Sequence, residues 1–222
     1  KTNKLWKKAE KIIPGGNGLL SKRPDRYAPD IWPTYFKSCS GVNVIALNNK
    51  KYIDMAQMGI GSSILGYAND ELNDYVNSII KGGINCTLNS LEEVSFAEKL
   101  LELNPFAGGV KFAKTGGEAM AIAVRIARAY TGKVKVLFSG YHGWTDWYLA
   151  ANIKSSKSLD NHLLPGLEPM GVPPGLANSV IPFKYDDVED FERVYSKNKD
   201  CGIICIEGAR YDYPDKKFLK KI

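Results

Sequence analysis

Between Lys111 and Gly132 the chain reads KFAKTGGEAMAIAVRIARAYTG, and the types and spacing of these residues suit the grip of an anion. A short apolar run, Val110 to Ala113, is expected to end a strand. Thr115-Gly116-Gly117-Glu118 then turns the chain, and a helix is expected from about Glu118 to Tyr130, stopping at Gly132. The first turn of such a helix leaves several backbone N–H groups without intrahelical partners. The helix dipole adds roughly half a positive charge there, and two glycines let a ligand come close to the backbone. Together these make a seat for a phosphate group. A tight strand-to-helix turn that binds nothing would be written with the same letters.

Two further segments carry chemistry-bearing residues. Val134 to Phe138 is expected to be a strand leading into Ser139-Gly140-Tyr141-His142-Gly143-Trp144. Cys201 to Ile206 is expected to be another, ending at Glu207. With Val180 to Phe183 as a further strand and a helix from Asp186 or Glu189 that turns Val188, Phe191, Val194 and Tyr195 inward, the order from Val110 onward is strand, helix, strand, connection, strand, helix, strand. A final helix opens at Asp215. That order favours an α/β fold with a mainly parallel sheet, in which ligands gather at the carboxyl ends of strands. Thr115 to Glu118, Ser139 to Trp144, and Glu207 all fall at such ends. The alanine-rich helix after Thr115 is expected to lie largely buried on the sheet.

The elements before this region are less regular. Lys4 to Ile13 is expected to be a helix, closed by Pro14-Gly15-Gly16. The Gly- and Pro-rich loop that follows carries Ser21, Lys22, Arg23 and Arg26; Arg23 is a candidate contact for an anionic substrate, and a solvated loop charge is the plainer reading. Tyr35 to Asp54 alternates apolar and polar residues around Asn48-Asn49, the pattern of a small β-meander. Gly59-x-Gly61 lacks the third glycine of a dinucleotide-binding turn. Asn69 or Asp70 can cap a helix to about Lys81. Ser90-Leu91-Glu92-Glu93 fits a capping box ahead of a helix with Leu91, Val94, Ala97 and Leu101 on one face. The long polar excursion Ser155 to Ser179 has the length of a functional or mobile loop, and His162 within it belongs to no motif.

Composition narrows the classes. The 222 residues are 44% apolar and 24% charged, ordinary for a soluble globular protein. The net charge of +6 is dispersed, with no long Lys/Arg run, so a nucleic-acid footprint is not expected. Cys39, Cys86, Cys201 and Cys205 lack the spacing of a disulfide scaffold. Residues four apart on a strand, such as Cys201 and Cys205, sit roughly 13 Å apart, too far to share one zinc ion, and no metal site is expected. Without an apolar signal core or a bilayer-length run, the expectation is a cytoplasmic protein with no membrane partner.

KTGGEAMAIAVRIARAYTG followed by FSGYHGWTDW resembles the cofactor region of class III aminotransferases, pyridoxal-phosphate enzymes of fold type I, and in particular their glutamate-1-semialdehyde aminomutase branch. Pro14-Gly15-Gly16, Tyr52-Ile53-Asp54 and Ile204-Cys205-Ile206-Glu207 fall in the order that family shows, so the likeness covers nearly the whole chain. The resemblance implies that Thr115, Gly116 and Gly117 hold the phosphate of pyridoxal 5'-phosphate, that Tyr141 lays its ring on the pyridine ring, that His142 shapes the same turn, and that Glu207 sits near the ring's polar edge. It implies a small-molecule amino donor, an aldehyde or ketone acceptor, and a homodimer. Residues 1–55 would belong to a small domain, and residues 56–222 would form the front part of the large cofactor-binding domain. The Schiff-base lysine and the aspartate that pairs with the pyridinium nitrogen would lie beyond Ile222, so the chain alone is expected to be inactive. Glu207-Gly208 departs from the family's Glu-Pro, and the segment around position 60 lacks the aminomutase's aromatic residue. Two other readings stand beside this one. One is a non-catalytic packing or dimerising chain with an empty phosphate turn. The other, more remote, is a penicillin-recognising serine enzyme, from Lys114-Thr115-Gly116 and Ser78-Ile79-Ile80-Lys81.

Overall fold

A computed structural model describes every residue except Lys1, Gln57, Ile60, Leu163, Leu164, Arg210 and Tyr211. The chain forms two compact units, Lys1–Glu93 and Val94–Ile222.

In the first unit, helix α1 spans Thr2–Ile12, and two short 3-10 turns, Leu20–Lys22 and Pro24–Arg26, follow it. The expected meander is present. Strands β1 (Phe36–Ser40), β2 (Asn43–Ala46) and β3 (Lys51–Ile53) pair antiparallel in the order β1-β2-β3. The β2–β3 turn works through Asn49, which takes a left-handed conformation at φ 64° that asparagine tolerates better than most residues. Gly41 and Tyr67 exchange backbone hydrogen bonds of 2.8 Å in an isolated antiparallel bridge. Helix α2 spans Asp70–Gly82, and the Asn69 side chain accepts the Leu72 N–H as its cap. Ser78 lies inside α2 and donates to the Tyr75 carbonyl, whereas the serine enzymes need that residue to open a helix.

Helix α3, Leu91–Leu103, begins at the boundary between the units. Its cap pairs Ser90 with Glu92 rather than with the Glu93 of a full capping box. The Ser90 hydroxyl bonds the Glu92 carboxylate and accepts the Glu92 N–H. The start of its apolar face is open, with Leu91 76% exposed, while Ala97 and Leu101 are partly buried.

The second unit is built on a parallel sheet in the order β5-β4-β6, with β4 Val136–Ser139, β5 Val180–Pro182 and β6 Ile203–Ile206. Val136 pairs with Val180 on one side and Ile203 on the other. All four β4 residues are fully buried, as a strand covered on both faces must be. Its side chains alternate between two apolar clusters. Val136 and Phe138 pack with Val124, Trp147 and Tyr148, while Leu137 packs with Phe183, Phe191, Val194 and Phe218. The first cluster belongs to α4 (Gly116–Thr131) and α5 (Asp146–Leu149), the second to α6 (Val188–Ser196) and α7 (Lys216–Lys221). Thr115, Asp187 and Asp215 each accept an N–H from the helix they cap.

Three expectations are corrected here. Val110 to Ala113 is not a strand; among the described residues no strand lies alongside to complete a ladder, and an apolar run without a partner strand has no sheet to join. Helix α4 starts earlier than expected, at Gly116, and is not largely buried. Val124 is its one buried residue and Tyr130 is 91% exposed; small side chains permit close packing but do not supply the surface that would do it. Tyr195 stacks on Phe191 with ring centroids 5.8 Å apart but remains 42% exposed rather than buried. The 155–179 excursion, by contrast, is held down: the Asn152 amide donates to the Leu167 carbonyl at 2.6 Å and accepts the Leu159 N–H at 3.0 Å.

Candidate functional site

The site forms where β4 and β6 end and α4 begins. Thr115 adopts an extended backbone, and its Oγ1 accepts the Glu118 N–H at 3.2 Å. The Thr115 carbonyl accepts the Ala119 N–H at 3.0 Å. The N–H groups of Gly116 and Gly117 come earlier than either of these bonds and donate to no group among the described residues. The Thr115 hydroxyl, having accepted through its oxygen, keeps its hydrogen to give. Three donors therefore cluster at the positive end of a helix of 16 residues, the arrangement that receives a phosphate.

The β4 turn meets this helix end directly. Gly143 has φ +96°, and a Cβ there would stand 2.6 Å from the Gly117 Cα. The two backbones touch at a point where Gly143 has no room for a side chain. Gly117 in turn lies against the Trp144 N–H and the Thr145 methyl, both 3.7 Å from where its own Cβ would be. A Cβ on Gly116 would meet nothing within 4 Å. The steric demand for glycine therefore falls on Gly143, while Gly117 sits at ordinary contact distance and Gly116 faces open space.

The remaining expected residues surround that junction. Tyr141 is half-buried, edge-on to Trp144 at 6.0 Å and to Tyr148 at 5.8 Å. Burial raises its phenol pKa, with a hydrogen bond to the Trp144 side chain acting in the opposite sense. His142 is buried, and its Nε2 lies 2.9 Å from the Ser139 carbonyl. A carbonyl can only accept, so Nε2 carries the hydrogen and Nδ1 is an acceptor. Cys205 Sγ lies 3.5 Å from Nδ1, and burial pushes its thiol up to about 11, so the thiol has a hydrogen to donate. Burial also holds His142 below its ordinary value, against the opposing pull of the Ser139 carbonyl and the Glu207 charge. Glu207 follows β6, its N–H donating to the Ser139 carbonyl at 3.3 Å. Its carboxylate lies over Gly140, within 2.6 Å of where a Cβ would project.

Thr115, Gly116, Gly117, Tyr141, His142 and Glu207 are thus brought to one end of the sheet. Arg23 belongs to the other unit, where its guanidinium already forms two 3.1 Å hydrogen bonds to Asp25. Gln57 and Ile60, in the segment that lacks the aminomutase's aromatic near position 60, and Arg210 and Tyr211 after Glu207 lie outside the described residues. Two contributors escaped the motif reading. Tyr148 donates its hydroxyl to the Gly140 carbonyl at 3.0 Å; its spacing of seven from Tyr141 is that of one helix face, but the intervening chain is a turn. His162 accepts the Gly140 N–H on Nδ1 at 3.2 Å from within a loop that has no periodicity to read. Among the described residues, no cluster of His, Cys, Asp and Glu could hold a metal ion, and no helix is long and apolar enough to cross a membrane.

An α4 N-terminus with open amides, an aromatic turn and a carboxylate thus gather at adjacent strand ends of an α/β fold. Residues 28–204 match the family described as aminotransferase class-III, and the chain belongs to that family. It is 31% identical over 226 residues to 3-aminobutyryl-CoA aminotransferase of Cloacimonas acidaminovorans, covering 98% of this chain and 50% of that protein. It is 32% identical over 223 residues to glutamate-1-semialdehyde 2,1-aminomutase of Methanopyrus kandleri, covering 97% of this chain and 49% of that one. A solved transaminase with PLP bound superposes with a TM-score of 0.81 at 25% identity, over 100% of this chain and 52% of that one. An omega-transaminase from Sphaerobacter thermophilus shares the fold with a TM-score of 0.81 at 24% identity, over 99% of this chain and 51% of that one. The chain therefore has the fold type I architecture and spans about half the length of these relatives.

Proposed function

We propose that this chain carries the cofactor-phosphate half of a pyridoxal-phosphate-dependent enzyme that moves an amino group between an amino donor and an aldehyde or ketone, as an aminotransferase or an aminomutase. The observation that carries the reading is the pair of unengaged amides at Gly116 and Gly117, held against Gly143 at the carboxyl end of the sheet. The residues present fit the cofactor: the phosphate would take the N–H groups of Gly116 and Gly117 and the Thr115 hydroxyl, with room on the Gly116 side. When bound, pyridoxal phosphate supplies an extended π system that stabilises a carbanion.

The chain's own residues orient and enclose that group. Tyr141 offers an aromatic face that excludes water and restrains a flat ligand. His142 stays neutral and holds the turn through the Ser139 carbonyl. Glu207 places a negative charge beside the same turn, where it favours positive charge on a bound ring. We assign residues 1–55 to the small domain and 56–222 to the cofactor-binding domain of a cytoplasmic homodimer. Arg23 is the candidate contact for substrate. The Glu207-Gly208 departure, and relatives that include both an aminotransferase and an aminomutase, keep both reaction types within the proposal.

The test has two arms. A protein that includes the region matching the other half of the relatives is expected to show an absorbance band near the visible edge that borohydride abolishes; a purified protein with no such cofactor overturns the proposal. The 222-residue chain alone, which spans about half the length of its relatives, should not turn over an amino donor with added pyridoxal phosphate. Clear turnover by the chain alone would show that the chemistry is complete within it.

A further inference from the structure

The two peptide groups that flank Gly140 are held in place by side chains. Gly140 is buried and has φ +96°, a conformation that glycine adopts at no steric cost. Its N–H donates to His162 Nδ1 at 3.2 Å. The carbonyl of that same peptide group, the Ser139 carbonyl, accepts from His142 Nε2 at 2.9 Å. On the far side of the Cα, the Gly140 carbonyl accepts the Tyr148 hydroxyl at 3.0 Å. Each peptide group is a rigid plane. Pinning both planes sets the two dihedral angles of Gly140, and with them the direction in which Tyr141, the next residue, leaves the chain.

The pinning side chains are themselves fixed. Tyr148 and Phe138 are fully buried and His162 is 7% exposed. The Phe138 ring lies edge-on to Tyr148 at 5.2 Å and tilted against His162 at 5.3 Å. His162 arrives from the 155–179 excursion, which is tied down just before it. The His162 N–H donates to the Leu159 carbonyl at 2.9 Å, and the Leu159 N–H donates to Asn152 Oδ1 at 3.0 Å. A backbone N–H can only donate, so His162 Nδ1 is an acceptor and the neutral ring carries its hydrogen on Nε2. Without that acceptor the Gly140 N–H would be left buried and unpaired, which costs more than an ordinary hydrogen bond contributes.

We propose that His162 is a positioning residue for the cofactor ring. Together with Tyr148 it holds the Gly140 backbone so that Tyr141 presents its aromatic face to the bound pyridine. This rests on the reading above that Tyr141 covers that ring. Tyr148 also meets the Tyr141 ring directly, edge-on at 5.8 Å, whereas His162 acts through the Gly140 peptide. The loop thereby contributes to the site without touching the ligand.

The test uses pyridoxine 5'-phosphate, which carries the ring and the phosphate but no aldehyde to react with lysines. It is titrated into the 222-residue chain and followed by NMR at the Gly116 and Gly117 amides. Inorganic phosphate, titrated in the same way, reads the phosphate seat without the ring. His162→Leu should weaken pyridoxine 5'-phosphate about three- to tenfold, the effect of one hydrogen bond, and leave inorganic phosphate within about twofold. His162→Asn, whose Oδ1 stands near the place of Nδ1, should restore most of the loss. Tyr141→Ala should also weaken pyridoxine 5'-phosphate, and adding His162→Leu to it should cost nothing more, since one residue acts through the other. Should circular dichroism show His162→Leu unfolded, Tyr148→Phe, which removes only the hydroxyl on the other peptide plane, makes the same comparison. The proposal fails if the variant binds pyridoxine 5'-phosphate as the parent does, if both ligands weaken equally, or if its loss adds in full to that of Tyr141→Ala. A parent chain that binds pyridoxine 5'-phosphate no tighter than inorganic phosphate overturns Tyr141 as the ring's cover, and one that binds neither overturns the phosphate seat; either result removes the basis of this proposal as well.

Discussion

His142 is one of two histidines in the chain, and its ring is engaged at both nitrogens by the Ser139 carbonyl and the Cys205 thiol. Burial is the larger influence and holds its pKa below the ordinary 6.5. On acidification the unfolded chain takes up this proton first, so stability associated with His142 is complete above about pH 6.5 and is lost as pH falls toward the folded-state value. An NMR titration of the two ring systems should place the His142 midpoint below 6.5; a midpoint above it would mean the ring is charged in the fold. The glycines divide in the same local way. Gly143→Ala combines φ +96° with a Cβ 2.6 Å from the Gly117 backbone, and should lower urea-unfolding stability by about 2–3 kcal/mol. Gly116→Ala meets no atom within 4 Å and should stay within about 0.5 kcal/mol. Equal losses would break the packing argument. That Thr115, the glycine pair and Tyr141 meet at one end of the sheet was legible because each lies where a local pattern starts a helix or ends a strand. Tyr148 and His162 were not, because each reaches Gly140 from a part of the chain whose path no local pattern fixes.

At the scale of elements, what was legible was whatever local chemistry decides. The cap at Asn69, the helix start at Asp215 and the turn at Asn48-Asn49 fell where side-chain acceptors and left-handed asparagine put them. The strand expected at Val110 failed because a strand needs a neighbour, and the sequence window contains no information about one. The depth of α4 failed for a related reason: its alanines describe what could pack on it, not what does. Tyr67 shows a tie between elements that no window could reveal. Its hydroxyl donates to Asp54 Oδ2 at 2.6 Å just past β3, beside the Gly41 bridge. The Asp54 hydrogen bond, with a smaller contribution from burial, pushes its pKa from 10.0 up to about 12. The stabilisation is therefore fully present below pH 10 and lost as pH rises through about 12. Tyr67→Phe should be less stable than the parent at pH 9, with the gap closing above pH 10. A gap that stays constant across that range would show that folding does not raise the Tyr67 pKa, and no gap at pH 9 would show that the Asp54 contact contributes nothing to the fold.

For the molecule as a whole, the decisive feature is how much apolar surface its best-formed elements leave open. Leu91, Val94 and Phe96 on α3 and Ile126 and Tyr130 on α4 are exposed, although both helices are regular and α4 is fully capped. Soluble monomers seldom leave contiguous apolar patches beyond a few hundred Å², and a chain that spans about half the length of its relatives carries helix faces that the relatives' fold has more chain to cover. The α4 pair gives a clean handle, because Ile126 and Tyr130 are four residues apart on one exposed face. The isolated chain should bind a hydrophobic dye while still unfolding cooperatively, and should self-associate as its concentration rises in sedimentation velocity. Replacing both residues with glutamate should reduce dye binding and association together and leave the melting temperature nearly unchanged, since neither side chain belongs to the core clusters around β4. A large fall in melting temperature would instead mean that this face is already packed in the isolated chain. Unchanged dye binding would move the sticky surface to α3, where Leu91→Glu with Val94→Glu makes the same comparison.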